Sequence, residues 1–173
     1  VRYNAKTWHI NSEKIGIMGF SAGGHLAASV STCYNRQVYK PVDAIDKVSA
    51  RPDFSLLGYP VISMLPKYAH DGTKKRLLGD NPSTEMMKRY SAELYVDRNT
   101  PPAFIFCAED DKVVPPINSI RYANALRRNG VDMELHIYHK GGHGFGIGQQ
   151  LTSSVHYWTQ ACENWLNDKG LLK

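Results

Sequence analysis

The sequence has no long hydrophobic run. Its apolar stretches reach about half, or less, of the roughly 20 residues that a membrane-spanning helix needs, so no membrane partner is expected. Cysteine is scarce. Cys33, Cys107 and Cys162 lie far apart and form no CxxC pair, and their odd number excludes a complete disulfide framework. Cys107 sits in an apolar run and Cys162 at a core-facing helical position, so both read as small buried hydrophobes. A reducing, cytoplasmic compartment is therefore expected. Internal repeats and low-complexity tracts are absent, which excludes a solenoid. A concentrated basic stripe is absent too. Lys and Arg outnumber Asp and Glu by 21 to 16, but they fall in scattered groups: Lys74–Lys75–Arg76, Lys88–Arg89 and Arg127–Arg128. A nucleic-acid binder concentrates such charge and interleaves it with aromatics, so no nucleic-acid partner is expected. No secretory leader is visible, but the chain opens on Val1 rather than Met, so that absence carries little weight.

What is present suits one globular domain of 173 residues with 42% hydrophobic content. Four short apolar runs read as strands: residues 14–20, 54–62, 103–108 and 133–138. Runs of this kind suit a parallel sheet covered on both faces. Helices separate them. One starts just after Ser21 and runs to about Cys33. A second spans about 116–129, with Pro116 at its first position and Gly130 past its end. The last covers about 154–168, where Val155, Trp158, Thr159, Cys162, Trp165 and Leu166 recur at the helical period before Gly170. Between 63 and 102 the composition turns polar, with Pro66, Gly72, Gly79, Pro82 and a short helix expected at about 84–90. This stretch is too long for a plain loop and reads as a substrate-side insertion or lid that sets substrate choice. Strand–helix alternation gives an α/β class with a mostly parallel sheet.

Gly19-Phe20-Ser21-Ala22-Gly23 fits G-x-S-x-G at a strand-to-helix junction, the setting of a nucleophile elbow. A sharp turn there strains the serine backbone and lifts Oγ clear of the sheet. Gly19 and Gly23, two residues either side, are expected to remove Cβ atoms that would clash. The helix N-terminus beneath favours developing negative charge, and the Ala22 N–H would point at the oxyanion of a tetrahedral intermediate. A serine nucleophile needs a base, and the base needs an orienting acid. "FCAEDDKVVPP" places Glu109, Asp110 and Asp111 just after the third strand, and "HKGGHGFG" places His143 in a loop just after the fourth. In an open parallel sheet the carboxyl ends of the strands share one edge, where ligands bind. Glu109 sits too close to its strand end, which leaves Asp110 and Asp111 open as the acid. His136 and His139 are an odd number of residues apart along a strand and face opposite sides, so no metal site is expected. His25, one turn past Ser21, reads as a packed or hydrogen-bonded helix residue, and His9, His70 and His156 as incidental.

Three stretches, "GFSAGGHLAA", "TPPAFIFCAEDDKVVPPINSIRYANALRRNG" and "YHKGGHGFG", resemble the α/β-hydrolase esterases related to acetylxylan esterases and other carbohydrate esterases. The likeness runs from about residue 14 to 166. It implies a single α/β-hydrolase domain over 1–173, with helices flanking a mostly parallel sheet and the chain order Ser, acid, His. It implies Ser21 as nucleophile and His143 as base. In that family an acid lies three residues before a Val-Pro, which matches Asp111. The implied activity removes acetyl or other short acyl groups from sugars or related small esters. A small-molecule or sugar ester is then the partner, no metal or organic cofactor is used, and the subunit is compatible with a homo-oligomer.

One departure is large. These hydrolases have about four strands before the elbow strand, and an HGG-like loop among them supplies the second oxyanion donor. Here only about a dozen residues precede the elbow strand and no such motif exists. The expectation is a C-terminal portion of a longer protein, lacking N-terminal strands. Its elbow strand would have an exposed edge, and alone it would be poorly soluble and nearly inactive. Two other readings share the same motifs: a serine peptidase of the prolyl-oligopeptidase kind, and a binding module built on a catalytically degenerate hydrolase fold.

Overall fold

Four short apolar segments build one parallel sheet in a computed structural model, which describes residues 1–149 and 152–172. The strands are β1 (Gly16–Phe20), β2 (Phe54–Gly58), β3 (Ala103–Ala108) and β4 (Met133–Tyr138), and they lie side by side in chain order. Parallel neighbours require crossovers, and helices supply them. Helix α1 (Ala22–Cys33) leaves β1, α2 (Asp71–Leu78) and α3 (Thr84–Arg89) lie between β2 and β3, and α4 (Ile117–Arg128) joins β3 to β4. Helix α5 (Trp158–Asp168) ends the chain's regular structure.

Side chains alternate across each strand, so the sheet has two apolar faces. Leu57 and Ile105 pack with Ala27, Ala28, Tyr122 and Leu126 under α1 and α4. Leu56, Phe104 and Phe106 face the other way, against Trp158, Cys162 and Trp165 of α5. There Phe106 stacks on Trp158 with centroids 4.1 Å apart and planes 9° from parallel. Cys107 and Cys162 are buried, and burial pushes both thiols up to about 11, so they serve as packing atoms. Among the described residues no helix is long and apolar enough to cross a membrane.

Several boundaries differ from the sequence reading. Strands β3 and β4 and the start of α1 fall where the pattern places them. Strand β2 stops at Gly58 rather than residue 62, because Pro60 has no N–H to pair and Tyr59 turns into a left-handed conformation at φ 33°. Strand β1 starts at Gly16, since the Ile15 N–H donates to the Asp53 carboxylate at 2.8 Å instead of to a strand carbonyl. Full burial on both faces holds for β3, but β1 and β4 are partly exposed, each having a single strand neighbour here. Pro116 precedes the first helical residue of α4 rather than occupying it, and the first turn of the last helix, Ser154–Tyr157, is 3₁₀. Helix α2 was not expected. Its cap is the His70 side chain, which accepts the Thr73 N–H, in place of the usual Ser, Thr, Asp or Asn.

The stretch 63–102 is pinned from beneath. Asn118, fully buried in the first turn of α4, accepts the N–H groups of Ile62 and Ser63 at 3.0 Å each through Oδ1. Its Nδ2 donates to the carbonyls of Tyr68 and Pro115. Ser91 Oγ accepts the Met64 N–H and donates to the Met87 carbonyl. Val61, Met64 and Val114 form a small core of their own, with Leu78 and Met87 against it. Asn118→Ala would leave two buried N–H groups unpaired, each costing about 1–3 kcal/mol. Urea denaturation is expected to show a loss of about 2–4 kcal/mol. A loss below about 1 kcal/mol would show that Asn118 is not the anchor.

Candidate active site

The elbow forms at the junction of β1 and α1. Ser21 lies there with φ 52° and ψ −120°, a region that non-glycine residues avoid unless their surroundings impose it. The surroundings do so through three hydrogen bonds. The Ser21 N–H donates to the Gly58 carbonyl at 3.0 Å, and the Ser21 carbonyl accepts from Val61 at 3.0 Å and from His25 at 3.2 Å. Close approach of backbones then demands glycine. A Cβ on Gly19 would lie 2.2 Å from the Gly23 carbonyl oxygen, and one on Gly24 would lie 2.7 Å from Pro60 Cβ. Gly23, expected to share this steric role, has nothing within 4 Å of such a Cβ. The second tight glycine is therefore Gly24, one residue later, because it faces the exit of β2.

Ser21 Oγ lies 2.8 Å from His143 Nε2, and His143 Nδ1 lies 2.7 Å from Asp111 Oδ2. A carboxylate only accepts, so Nδ1 carries the proton, and Nε2 is left to accept the serine hydroxyl proton. The Asp111 side chain is completely buried, and its second oxygen accepts the N–H groups of Val113 and Val114 at 2.9 Å each. A buried carboxylate without such partners would be costly. Ala22 is the first residue of α1, so its N–H belongs to the turn that lacks intrahelical acceptors.

The neighbouring acidic residues do other things. Asp110 Oδ1 accepts the N–H groups of Gly141 and Gly142 at 2.9 and 2.8 Å, and does not approach the His143 ring as a hydrogen-bond partner. Glu109 is exposed. His25 is buried and bonded to the Tyr90 carbonyl at 2.7 Å, and burial pushes its imidazole below the ordinary range. It thus packs α1 against the stretch 63–102. His136 pairs with Glu134 at 2.6 Å, and His139 is exposed. Tyr59 was missed. Its ring meets His143 edge-on at 5.0 Å and Phe145 at 4.7 Å, and its hydroxyl accepts the Gly146 N–H at 3.4 Å. The available signal was a Tyr-Pro pair at the carboxyl end of a strand, on the edge that carries the other groups. A cavity of about 820 Å³ lies beside the outer face of α1, lined by Leu26, Val30, Tyr39 and Tyr90. Ser21, Asp111, His143 and Tyr59 are not among its lining residues.

Residues 1–126 match the family model BD-FAE, and residues 87–173 match that of the dienelactone hydrolase family. An acetylxylan esterase of Xylanibacter ruminicola is 41% identical over 152 residues, covering 86% of this chain and 29% of that protein. Endo-1,4-beta-xylanase B of Butyrivibrio fibrisolvens is 38% identical over 147 residues, covering 85% and 23%. The crystal structure of an acetyl ester-xyloside bifunctional hydrolase from Caldicellulosiruptor lactoaceticus superposes with a TM-score of 0.93 at 43% identity, covering 99% of this chain and 62% of that one. The chain thus spans less than a third of the curated relatives and about three fifths of the solved structure.

The glycine geometry is testable. Gly19→Ala and Gly24→Ala force a Cβ into backbone or proline atoms and are expected to cost about 1–3 kcal/mol or more in urea denaturation. Gly23→Ala removes a helix glycine into open space and is expected to leave stability unchanged or raise it by up to about 1 kcal/mol. Equal losses at positions 23 and 24 would contradict this geometry.

Proposed function

The chain belongs to the BD-FAE family and carries the α/β-hydrolase fold, and from that premise we propose that it forms the nucleophile-bearing part of a serine esterase acting on short-chain esters. The substrates we favour are O-acetyl groups of sugars or related small esters. The observation that carries this reading is the unbroken line Ser21–His143–Asp111, with both hydrogen bonds short. The printed names of an acetylxylan esterase and an acetyl ester-xyloside hydrolase among its relatives support the choice of substrate.

In this mechanism Ser21 Oγ attacks the ester carbonyl as His143 Nε2 takes its proton. The carbonyl π pair moves onto oxygen, and the oxyanion rests on the Ala22 N–H at the start of α1. Asp111 holds the tautomer and stabilises the imidazolium. His143 then returns the proton to the leaving alcohol oxygen as the tetrahedral intermediate collapses to an acyl-serine. Water, deprotonated by the same imidazole, attacks the acyl carbon; the acid leaves and the Ser21 hydroxyl is restored. This chain supplies one oxyanion donor, Ala22, and the strain at Ser21 aims its hydroxyl before substrate arrives. The stretch 63–102, anchored by Asn118, Ser91 and the His25–Tyr90 bond, acts as a fixed wall that selects substrate rather than as a swinging flap.

In the native protein, Ser21→Ala is expected to abolish acyl-enzyme formation with p-nitrophenyl acetate and labelling by a fluorophosphonate. Asp111→Asn is expected to lower kcat by roughly 10³–10⁴-fold, because the wrong histidine tautomer then faces the serine. Unchanged hydrolysis by Ser21→Ala would exclude the assignment. Preference for peptide amides over acetyl esters would favour a peptidase, and failure of the unmodified protein to react with the probe would favour a binding module.

A further inference from the structure

His143 sits in a loop outside helix and strand. Gly142, Gly144, Gly146 and Gly148 all adopt φ between 55° and 74°, so four of the seven residues from 142 to 148 are glycines in the left-handed region. Glycine loses the most conformational entropy on being fixed, so such a loop needs external restraint to hold an imidazole in register. On its far side Trp158 Nε1–H donates to the Gly146 carbonyl at 2.8 Å, and Tyr59 packs on His143 and Phe145. On its near side the restraint is Asp110. One carboxylate oxygen takes both the Gly141 and Gly142 N–H groups, the two peptides leading directly into His143. The other oxygen lies 3.8 Å from Lys140 Nζ. These bonds, the Gly142 N–H foremost, hold the Asp110 carboxyl below its ordinary range, so it is ionised at neutral pH and the bonds are charge-assisted.

We infer that Asp110 is a positioning residue for the esterase reaction: by gripping the 141 and 142 peptides it sets where His143 stands between Ser21 and Asp111. The inference rests on the proposed function. It gives the two adjacent aspartates separate tasks, Asp111 orienting the imidazole ring and Asp110 placing the backbone that carries it. Both leave the same turn after β3, so one turn registers ring and loop together.

The test compares Asp110→Ala and Asp110→Asn in the native protein, with kcat counted per fluorophosphonate-titrated serine. A misplaced catalytic group costs up to about 100-fold, so Asp110→Ala is expected to lower kcat about 10- to 100-fold with KM changed less than about twofold. Asp110→Asn keeps an oxygen acceptor and is expected to recover most of that loss. Amide exchange at Gly141 and Gly142 is expected to quicken in the same order, Ala more than Asn. Wild-type kcat in the Ala variant, a loss confined to KM, or a loss without faster exchange would each overturn the proposal. Should the Ala variant fail to fold, wild-type kcat and exchange in the Asn variant would do the same. A fully active Ser21→Ala control would sink the esterase reading itself, whereas an inactive control beside an unimpaired Asp110→Ala sinks only this inference.

Discussion

The backbone of Ser21 is the constraint on which the rest depends. A non-glycine residue at φ 52°, ψ −120° costs of order 1–3 kcal/mol and persists only where its neighbours over-determine it. The exit of β2 does this, taking the Ser21 N–H at Gly58 and returning the Val61 N–H to the Ser21 carbonyl. For the two chains to meet, Gly19 and Gly24 must lack side chains. For Val61 to face Ser21, β2 must stop at Gly58, and Tyr59 must turn to φ 33°. That turn places the Tyr59 ring against His143. One short segment, residues 58–61, thus touches both the serine backbone and the imidazole that bonds its hydroxyl.

Parallel pairing supplies the other half of the geometry. Because all four strands run the same way, the elbow, the turn holding Tyr59, the acidic turn and the histidine loop leave from one edge of the sheet. The Glu109 N–H to Tyr138 carbonyl bond, at 2.7 Å, ties the last two of these exits together just before they diverge. Asp111 can then be buried without penalty from unpaired lone pairs, since the backbone of its own turn satisfies one oxygen and His143 the other.

How much of this is legible in the residues follows from which signals are local. Strands β3 and β4 read correctly because their apolar runs end at strong punctuation. Strand β2 reads too long because its apolar run continues past Pro60, and the proline outweighs the hydrophobicity. Helix α2 is invisible for two reasons: none of its residues is buried, so it has no apolar stripe, and its cap is a histidine. Helix α3, expected at about 84–90, forms over Thr84–Arg89, with Ser83 as its cap accepting the Met86 N–H. Within the site, a hydroxyl, an imidazole and a carboxylate at strand ends are visible as chemistry, and the structure brings them within hydrogen-bond range. Tyr59, Gly24 and Asp110 are not visible, because their roles arise from contacts with segments 30 to 90 residues away and not from their own reactivity. The Asp-Asp pair is instructive. Composition leaves both residues open and the family resemblance points to Asp111; the fold shows that Asp111 meets a ring and Asp110 meets two peptide N–H groups.

The distribution of rigidity follows from these contacts. The elbow is held by backbone hydrogen bonds to the exit of β2, the Asp111 carboxylate by the N–H groups of its own turn, and the stretch 63–102 by buried side chains, of which Asn118 alone makes four hydrogen bonds. The histidine loop is held differently, by a partly exposed carboxylate, an aromatic edge and one indole N–H. In the proposed reaction the imidazole is the one of the three groups that accepts a proton, passes it to a leaving group and then serves water. Its support is a glycine-rich loop, whereas the Ser21 backbone is set by hydrogen bonds from the exit of β2 and the Asp111 carboxylate is fully buried. On the proposed reading, the group that shuttles the proton is the one restrained from outside its own loop, by Asp110 and by the buried Tyr59 and Trp158.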